Sequence, residues 1–136
     1  MIAALDHVVL TTRDEPACLR FYVEILGMRL ETFGEGRRAF AFGGQKINLH
    51  VAGAELEPHA HLPVPGAQDW CLLADRPLDE VVVRLAGHGV EVELGPVTRT
   101  GARGPITSVY VRDPDRNLIE IATYDAADPA ATATDG

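Results

Sequence analysis

Apolar residues recur on alternate positions, or in short unbroken runs, over Leu5–Leu10, Met28–Phe33, Arg38–Phe42 and Lys46–Val51, which predicts four strands. Glycine turns separate the last three, at Gly34-Glu35-Gly36 and Gly43-Gly44. Between the first and second runs the apolar pairs Ala17/Cys18, Phe21/Tyr22 and Ile25/Leu26 lie four residues apart. That spacing predicts one broad helical face. Asp14 is the expected N-cap, Pro16 falls in the first turn and Gly27 ends the helix. Residues 53–68 hold three prolines and no period, and read as a connection. The order then repeats. Asp69–Leu73 is a strand. A helix follows, capped by Asp75, with Leu78, Val81, Val82 and Leu85 as its stripe and Gly87-His88-Gly89 as its stop. Val90–Leu94, Ile106–Val111 and Leu118–Thr123 complete the set.

The chain therefore reads β-α-β-β-β twice: module one over residues 1–52, the connection 53–68, and module two over 69–124. Residues 125–136 are mostly alanine, threonine and aspartate and are expected to be a disordered tail. The fold class expected is α+β.

The length of 136 residues allows one ordinary domain. A net charge of −8 argues against nucleic acid, whose phosphates would be repelled. No apolar run approaches the roughly 20 residues of a membrane span, and Asp6 and His7 interrupt the N-terminal stretch. A cytoplasmic location is the expectation. Two cysteines, Cys18 and Cys71, make no disulfide framework; Cys18 is expected in the helix core and Cys71 on a strand.

Alternation leaves four ionisable groups on the strand faces turned away from the helices. His7 opens module one and Asp69 opens module two. His50 and Glu120 lie on the last strands. Two imidazoles and two carboxylates converging would make a nitrogen/oxygen site for a divalent ion such as Zn, Fe, Mn, Ni or Co. A strand histidine is also commonly a surface or hydrogen-bonded residue, so spacing alone leaves both readings open. His59-Ala60-His61 lies in a proline-bounded loop and reads as solvated, and His88 as a helix-end residue. Trp70 is expected to face its helix.

Leu5-Asp6-His7-Val8-Val9-Leu10, Phe21-Tyr22 with Leu26-Gly27-Met28, and Asp113-Pro114-Asp115-Arg116-Asn117-Leu118-Ile119-Glu120 together resemble the vicinal oxygen chelate superfamily. That group includes glyoxalase I, extradiol dioxygenases and bleomycin-resistance proteins. The strings Lys46-Ile47-Asn48-Leu49-His50 and Gly104–Tyr110 are similar to a subgroup of small glyoxalase-domain proteins often labelled virulence-associated. The resemblance implies paired βαβββ modules forming a cupped, incompletely closed mixed sheet around a pocket, with helices outside. It implies a divalent metal ion held by residues matching His7 and Glu120.

Two positions depart from the family pattern. Asp69 stands where a histidine is expected, and Asn48 stands where glyoxalase I has a glutamate, with His50 two residues on as a substitute. Arg116 occupies a turn position usually held by glycine.

The resemblance implies an enzyme of lyase, isomerase or dioxygenase type whose substrate binds the metal through neighbouring oxygens. His7, His50, Glu120 and Asp69 are the metal candidates. Asp69 and Glu120 are the catalytic candidates, and Arg103 and Tyr110 the substrate contacts. Arg112 is expected to bracket the Asp113 turn. The alternative is a non-catalytic protein of the same fold that binds an antibiotic. A small-molecule partner and a homodimer are expected in either case.

Overall fold

The computed structural model describes residues 1–126. The expected tail lies outside the described residues from position 127. Its first residue, Asp125, is fastened: its backbone N–H donates to Pro105 O at 3.0 Å, and its carboxylate accepts from Thr107 Oγ1 at 2.5 Å. Among the described residues no helix is long and apolar enough to cross a membrane.

The fold is α+β and consists of two βαβββ modules. The first holds β1 (His7–Thr12), α1 (Glu15–Leu19), β2 (Arg29–Phe33), β3 (Arg37–Phe42) and β4 (Gln45–Val51). The second holds β5 (Asp69–Leu73), α2 (Leu78–Gly87), β6 (Leu94–Gly101), β7 (Gly104–Arg112) and β8 (Leu118–Tyr124). Contacts group the chain into two units, residues 1–68 with 113–117, and 69–112 with the residues from 118 onward.

In the first unit the strand order is β1-β4-β3-β2, with β1 parallel to β4 and the other pairs antiparallel. Asp14 caps α1 as expected, its side chain accepting from Ala17 N at 3.1 Å. The helix then widens into a π-helical segment, Arg20–Ile25, in which Leu26 N reaches back to Phe21 O. Widening leaves Phe21, Tyr22 and Ile25 facing the sheet. Tyr22 stacks on Phe40 with ring centroids 5.1 Å apart, and Leu10, Ile47 and Cys18 fill the layer around them.

The strands extend past their apolar runs. β1 was expected to stop at Leu10 but continues through Thr11 and Thr12, because parallel pairing carries it to Val51.

The second unit repeats the order as β5-β8-β7-β6. Val81 and Leu85 of α2 pack inward, and Val109, Val111, Ile119 and Ile121 form the sheet side of that core. Two expectations are corrected. Asp75 is not the cap: Pro77 occupies that position, with no side-chain cap bond, and Asp75 instead binds Arg76 Nε at 2.9 Å. The sixth strand is not Val90–Leu94 but Leu94–Gly101, with an irregularity in register between Leu94 and Val97. Gly95 makes this possible. Its φ is +112°, and a Cβ there would sit 2.4 Å from Ser108 O, so a side chain would collide with β7.

The turn between β7 and β8 belongs to the first unit. Asp113, Asp115 and Asn117 are buried, and Arg116 between them has a φ of +72°. The arginine therefore does occupy the left-handed conformation that glycine adopts without strain, at a cost of roughly 1 kcal/mol. Thr12 Oγ1 donates to Asp115 Oδ2 at 2.5 Å, and Arg13 N to Asp115 Oδ1 at 3.0 Å. Gln68 N donates to Asn117 Oδ1 at 2.8 Å. These bonds tie the end of β1 and the end of the connection to one turn.

Candidate functional site

Each sheet has one face against its helix and one away from it. The register assigns every candidate to a face. In the first sheet, His7, Val9 and Thr11 of β1 lie opposite Lys46, Asn48 and His50 of β4, all on the face away from the helix. Ala39 and Ala41 continue those rows on β3, with Arg37 two residues before Ala39.

The same register separates His7 from His50. His7 pairs with Lys46 and His50 with Thr11, four positions further on. That is roughly 13 Å along the strands. Two imidazoles sharing one ion must each bring a nitrogen to about 2 Å from it. His50 therefore does not stand beside His7, whereas Asn48 is two positions nearer.

His7 is half exposed, and its Nδ1 lies 2.8 Å from the Asp6 carboxylate. A carboxylate on Nδ1 places the proton there and leaves Nε2 with its lone pair, the arrangement common in metal-binding histidines. His50 is 5% exposed and its Nδ1 has no hydrogen-bond partner.

Burial, then the positive charges of Arg37 on β3 and His59 in the connection, hold the His50 imidazolium below its ordinary pKa of 6.5, with Glu55 opposing. Thr11 on β1 adds no charge. The unfolded chain therefore takes up a proton at this position before the folded chain does. Stability is fully present above about pH 6.5 and falls as the pH drops toward the lowered folded value. His50→Gln is expected to lose less stability than wild type between pH 7 and about pH 5, as read from urea midpoints.

In the second sheet, Cys71, Glu120, Tyr110 and Leu94 form one row on the face away from α2. Asp69, Leu118 and Arg112 form the next row. Glu120 is part-buried, and its Oε2 accepts from Ser108 Oγ at 2.5 Å. Ser108 is wholly buried. Tyr110 Oη accepts from Arg99 Nε at 3.1 Å, which leaves the phenol proton for another acceptor. Desolvation by the surrounding strand atoms, with the Glu120 charge second, pushes the Cys71 thiol up to about 11, so it stays protonated at neutral pH.

Arg103 does not join Tyr110. It sits in the hairpin turn between β6 and β7, where its N–H donates to Tyr124 Oη at 3.1 Å and its guanidinium lies over that ring. Arg112 engages Glu93 through both Nε and an Nη at 3.0 and 3.1 Å. Asp69 is exposed at the start of β5. Trp70 pairs with Ile119 on the helix side, as expected. Sequence reasoning missed Ser108, Arg99 and Arg37. Only Ser108 carried a signal, its parity with Tyr110 on one predicted strand.

Among the described residues no group of three or more His, Cys, Asp or Glu side chains is placed to hold a metal ion. Two of the four candidates have a neighbouring group hydrogen-bonded to them. His7 has its far nitrogen presented by Asp6, and Glu120 has one oxygen fixed by Ser108.

Two mixed βαβββ sheets with His7 opening the first and Glu120 on the last strand define a class of protein. The family model described as Glyoxalase/Bleomycin resistance protein/Dioxygenase superfamily matches residues 4–121, and the chain belongs to that superfamily. It is 49% identical to Glyoxalase domain-containing protein RDO1 of Mycosarcoma maydis, over 93% of this chain and 71% of that one. The crystal structure of Virulence protein STM3117 from Salmonella typhimurium superposes with a TM-score of 0.89 at 48% identity, covering 91% of this chain and 98% of that one. Lactoylglutathione lyase from Agrobacterium tumefaciens superposes with a TM-score of 0.69 at 25% identity, covering 90% and 95%.

Proposed function

We propose that this chain is a cytoplasmic, homodimeric enzyme that binds one divalent first-row metal ion and acts on a small molecule carrying two neighbouring oxygens. The observation that carries the reading is Glu120, a part-buried carboxylate on an otherwise largely uncharged row, held at one oxygen by a wholly buried serine. The assigned ligands are His7 and Glu120, with Asp69 beside them in the family pattern; the assignment rests on that pattern and not on a grouping of three such side chains among the described residues. His50, four register positions from His7, is assigned to the substrate instead. The ion, when bound, supplies Lewis acidity toward the substrate oxygens.

The protein's own groups supply the rest. Asp6 holds the His7 ring with Nε2 outward. Ser108 donates to one oxygen of the Glu120 carboxylate, which reduces the side-chain entropy lost when the other takes a ligand. Tyr110, accepting from Arg99, donates its phenol proton to a substrate oxygen on which negative charge develops. Asp69 is exposed and serves as the proton acceptor when it is not a ligand.

The test uses untagged protein loaded in turn with Zn, Mn, Ni, Co and Fe(II), followed by elemental analysis and titration with acetohydroxamate, a bidentate oxygen donor. One equivalent of a metal is expected, with hydroxamate binding only to the loaded form. Failure of every metal to bind stoichiometrically overturns the enzymatic reading and leaves the non-catalytic binding protein.

A further inference from the structure

We propose that Arg37, His50 and Asn48 form a subsite for a small oxyanion, the carboxylate or phosphate group of this enzyme's substrate. The inference rests on the reading of the chain as a small-molecule enzyme for its biological meaning, but not for its test. Asn48 and His50 stand at alternate positions of β4, on the face away from the helix. Each is 5% exposed, and Asn48 Oδ1 and His50 Nδ1 are buried with no hydrogen-bond partner. Leaving such atoms unpaired is costly, so two of them side by side mark a place where a polar group belongs.

The largest charge acting on His50 is the positive one of Arg37, with Glu55 opposing. Arg37 and Lys46 share the face, with the Arg37 guanidinium carbon 4.7 Å and Lys46 Nζ 3.9 Å from the Phe33 ring centroid. Among the described residues neither enters an ion pair. The nearby carboxylates are engaged elsewhere: Glu31 lies 3.9 Å from Arg29 Nη2, and Glu55 accepts from Gly53 N at 2.9 Å. In a chain of net charge −8, Arg37 thus brings a cation that enters no ion pair to the strand beside two buried unpaired polar atoms, with Glu55 the opposing charge.

An oxyanion suits the set. Arg37 offers parallel N–H donors to two oxygens, His50 Nδ1 donates when protonated, and a half-turn of the Asn48 amide brings Nδ2 to the place of Oδ1. Ala39 and Ala41, on the neighbouring strand, add no side chain that competes for the space.

The experiment titrates the metal-free full chain with acetate, inorganic phosphate and acetamide, reading the His50 ring and Asn48 side-chain resonances by NMR. Saturable shifts are expected with acetate or phosphate and none with acetamide, and the tighter of the two anions names the group. Arg37→Gln, at a half-buried position that tolerates it, is expected to weaken binding about tenfold or more. His50→Leu is expected to melt at or above wild type and to abolish the saturable shift at Asn48.

No saturation with either anion, an equal response to acetamide, or unchanged affinity in Arg37→Gln overturns the proposal. The two readings fail separately. Acetate binding through Arg37 in a chain that takes up no metal keeps the subsite and ends the enzymatic reading, and stoichiometric metal without oxyanion binding does the reverse.

Discussion

Asp113→Ala is expected to lower stability by about 3–5 kcal/mol. The Asp113 carboxylate is 3% exposed and accepts four hydrogen bonds. Tyr22 Oη and Asn117 Nδ2 donate to Oδ2, both at 2.7 Å, and the backbone N–H groups of Asp115 and Asn117 donate to Oδ1, both at 2.9 Å. Alanine leaves all four donors buried and unpaired, at about 1–3 kcal/mol each before relaxation.

Tyr22→Phe removes one donor and leaves three, so it is expected to cost only about 1 kcal/mol. Burial, with the Asp113 charge second, pushes the Tyr22 phenol well above its ordinary value, so the phenol keeps its proton to donate at neutral and mildly alkaline pH. Asp113→Asn keeps an acceptor for the two backbone groups but turns an amide N–H toward Asn117 Nδ2, and should fall between the two. Urea unfolding at neutral pH checks the series. A loss below about 1 kcal/mol for Asp113→Ala would mean that the turn is not a structural clasp.

That clasp explains why the Asp113–Asn117 string was conspicuous in the sequence. A run of three short polar residues around a proline reads as a turn, and its burial could not be read from composition. The element order was legible because alternation and fourfold spacing are local properties. Three things were not. The sixth strand read as Val90–Leu94, yet Gly95 lets β6 pass within contact of Ser108 O and continue to Gly101. Asp75 read as a cap because its residue type favours that position, but Arg76 takes its carboxylate and Pro77 begins the helix. The π-helical widening at Arg20–Ile25 keeps the same apolar faces as a regular helix, so no spacing distinguishes it.

The candidate site divides the same way. Alternation put His7, Asn48, His50, Asp69 and Glu120 on the correct kind of face, since parity within a strand is fixed by the sequence. The offset between strands is not. A parallel register of His7 with Lys46 is what moves His50 four positions away, and nothing in either strand announces that register. Ser108 and Arg99 were illegible for a related reason. They matter only because the antiparallel pairing of β7 with β8 and β6 brings one to Glu120 and the other to Tyr110.

Glu120→Ala and Glu120→Gln are expected to lose metal binding alike and to differ in stability without metal. In wild type, a metal that binds only the folded chain raises the melting temperature by mass action, by about 2.7 kcal/mol of stability at a hundredfold excess over Kd. Either substitution removes the anionic oxygen, so neither protein should show a rise. Without metal, Glu120→Ala deprives the wholly buried Ser108 hydroxyl of its acceptor and should be destabilised by about 1 kcal/mol. Glu120→Gln retains an amide oxygen for that hydroxyl and should melt close to wild type. Ser108→Ala combined with Glu120→Ala removes donor and acceptor together and should recover most of the loss.

Ser108→Ala alone separates positioning from ligation. The carboxylate remains but is no longer held, so metal should still bind one to one with an affinity reduced about 10- to 100-fold. Calorimetric titration with the metal that loads best, together with melts of the metal-free proteins, reads all five chains. If Glu120→Gln takes up metal as wild type does, the Glu120–Ser108 pair is a structural hydrogen bond of the second sheet, and the metal assignment of Glu120 fails.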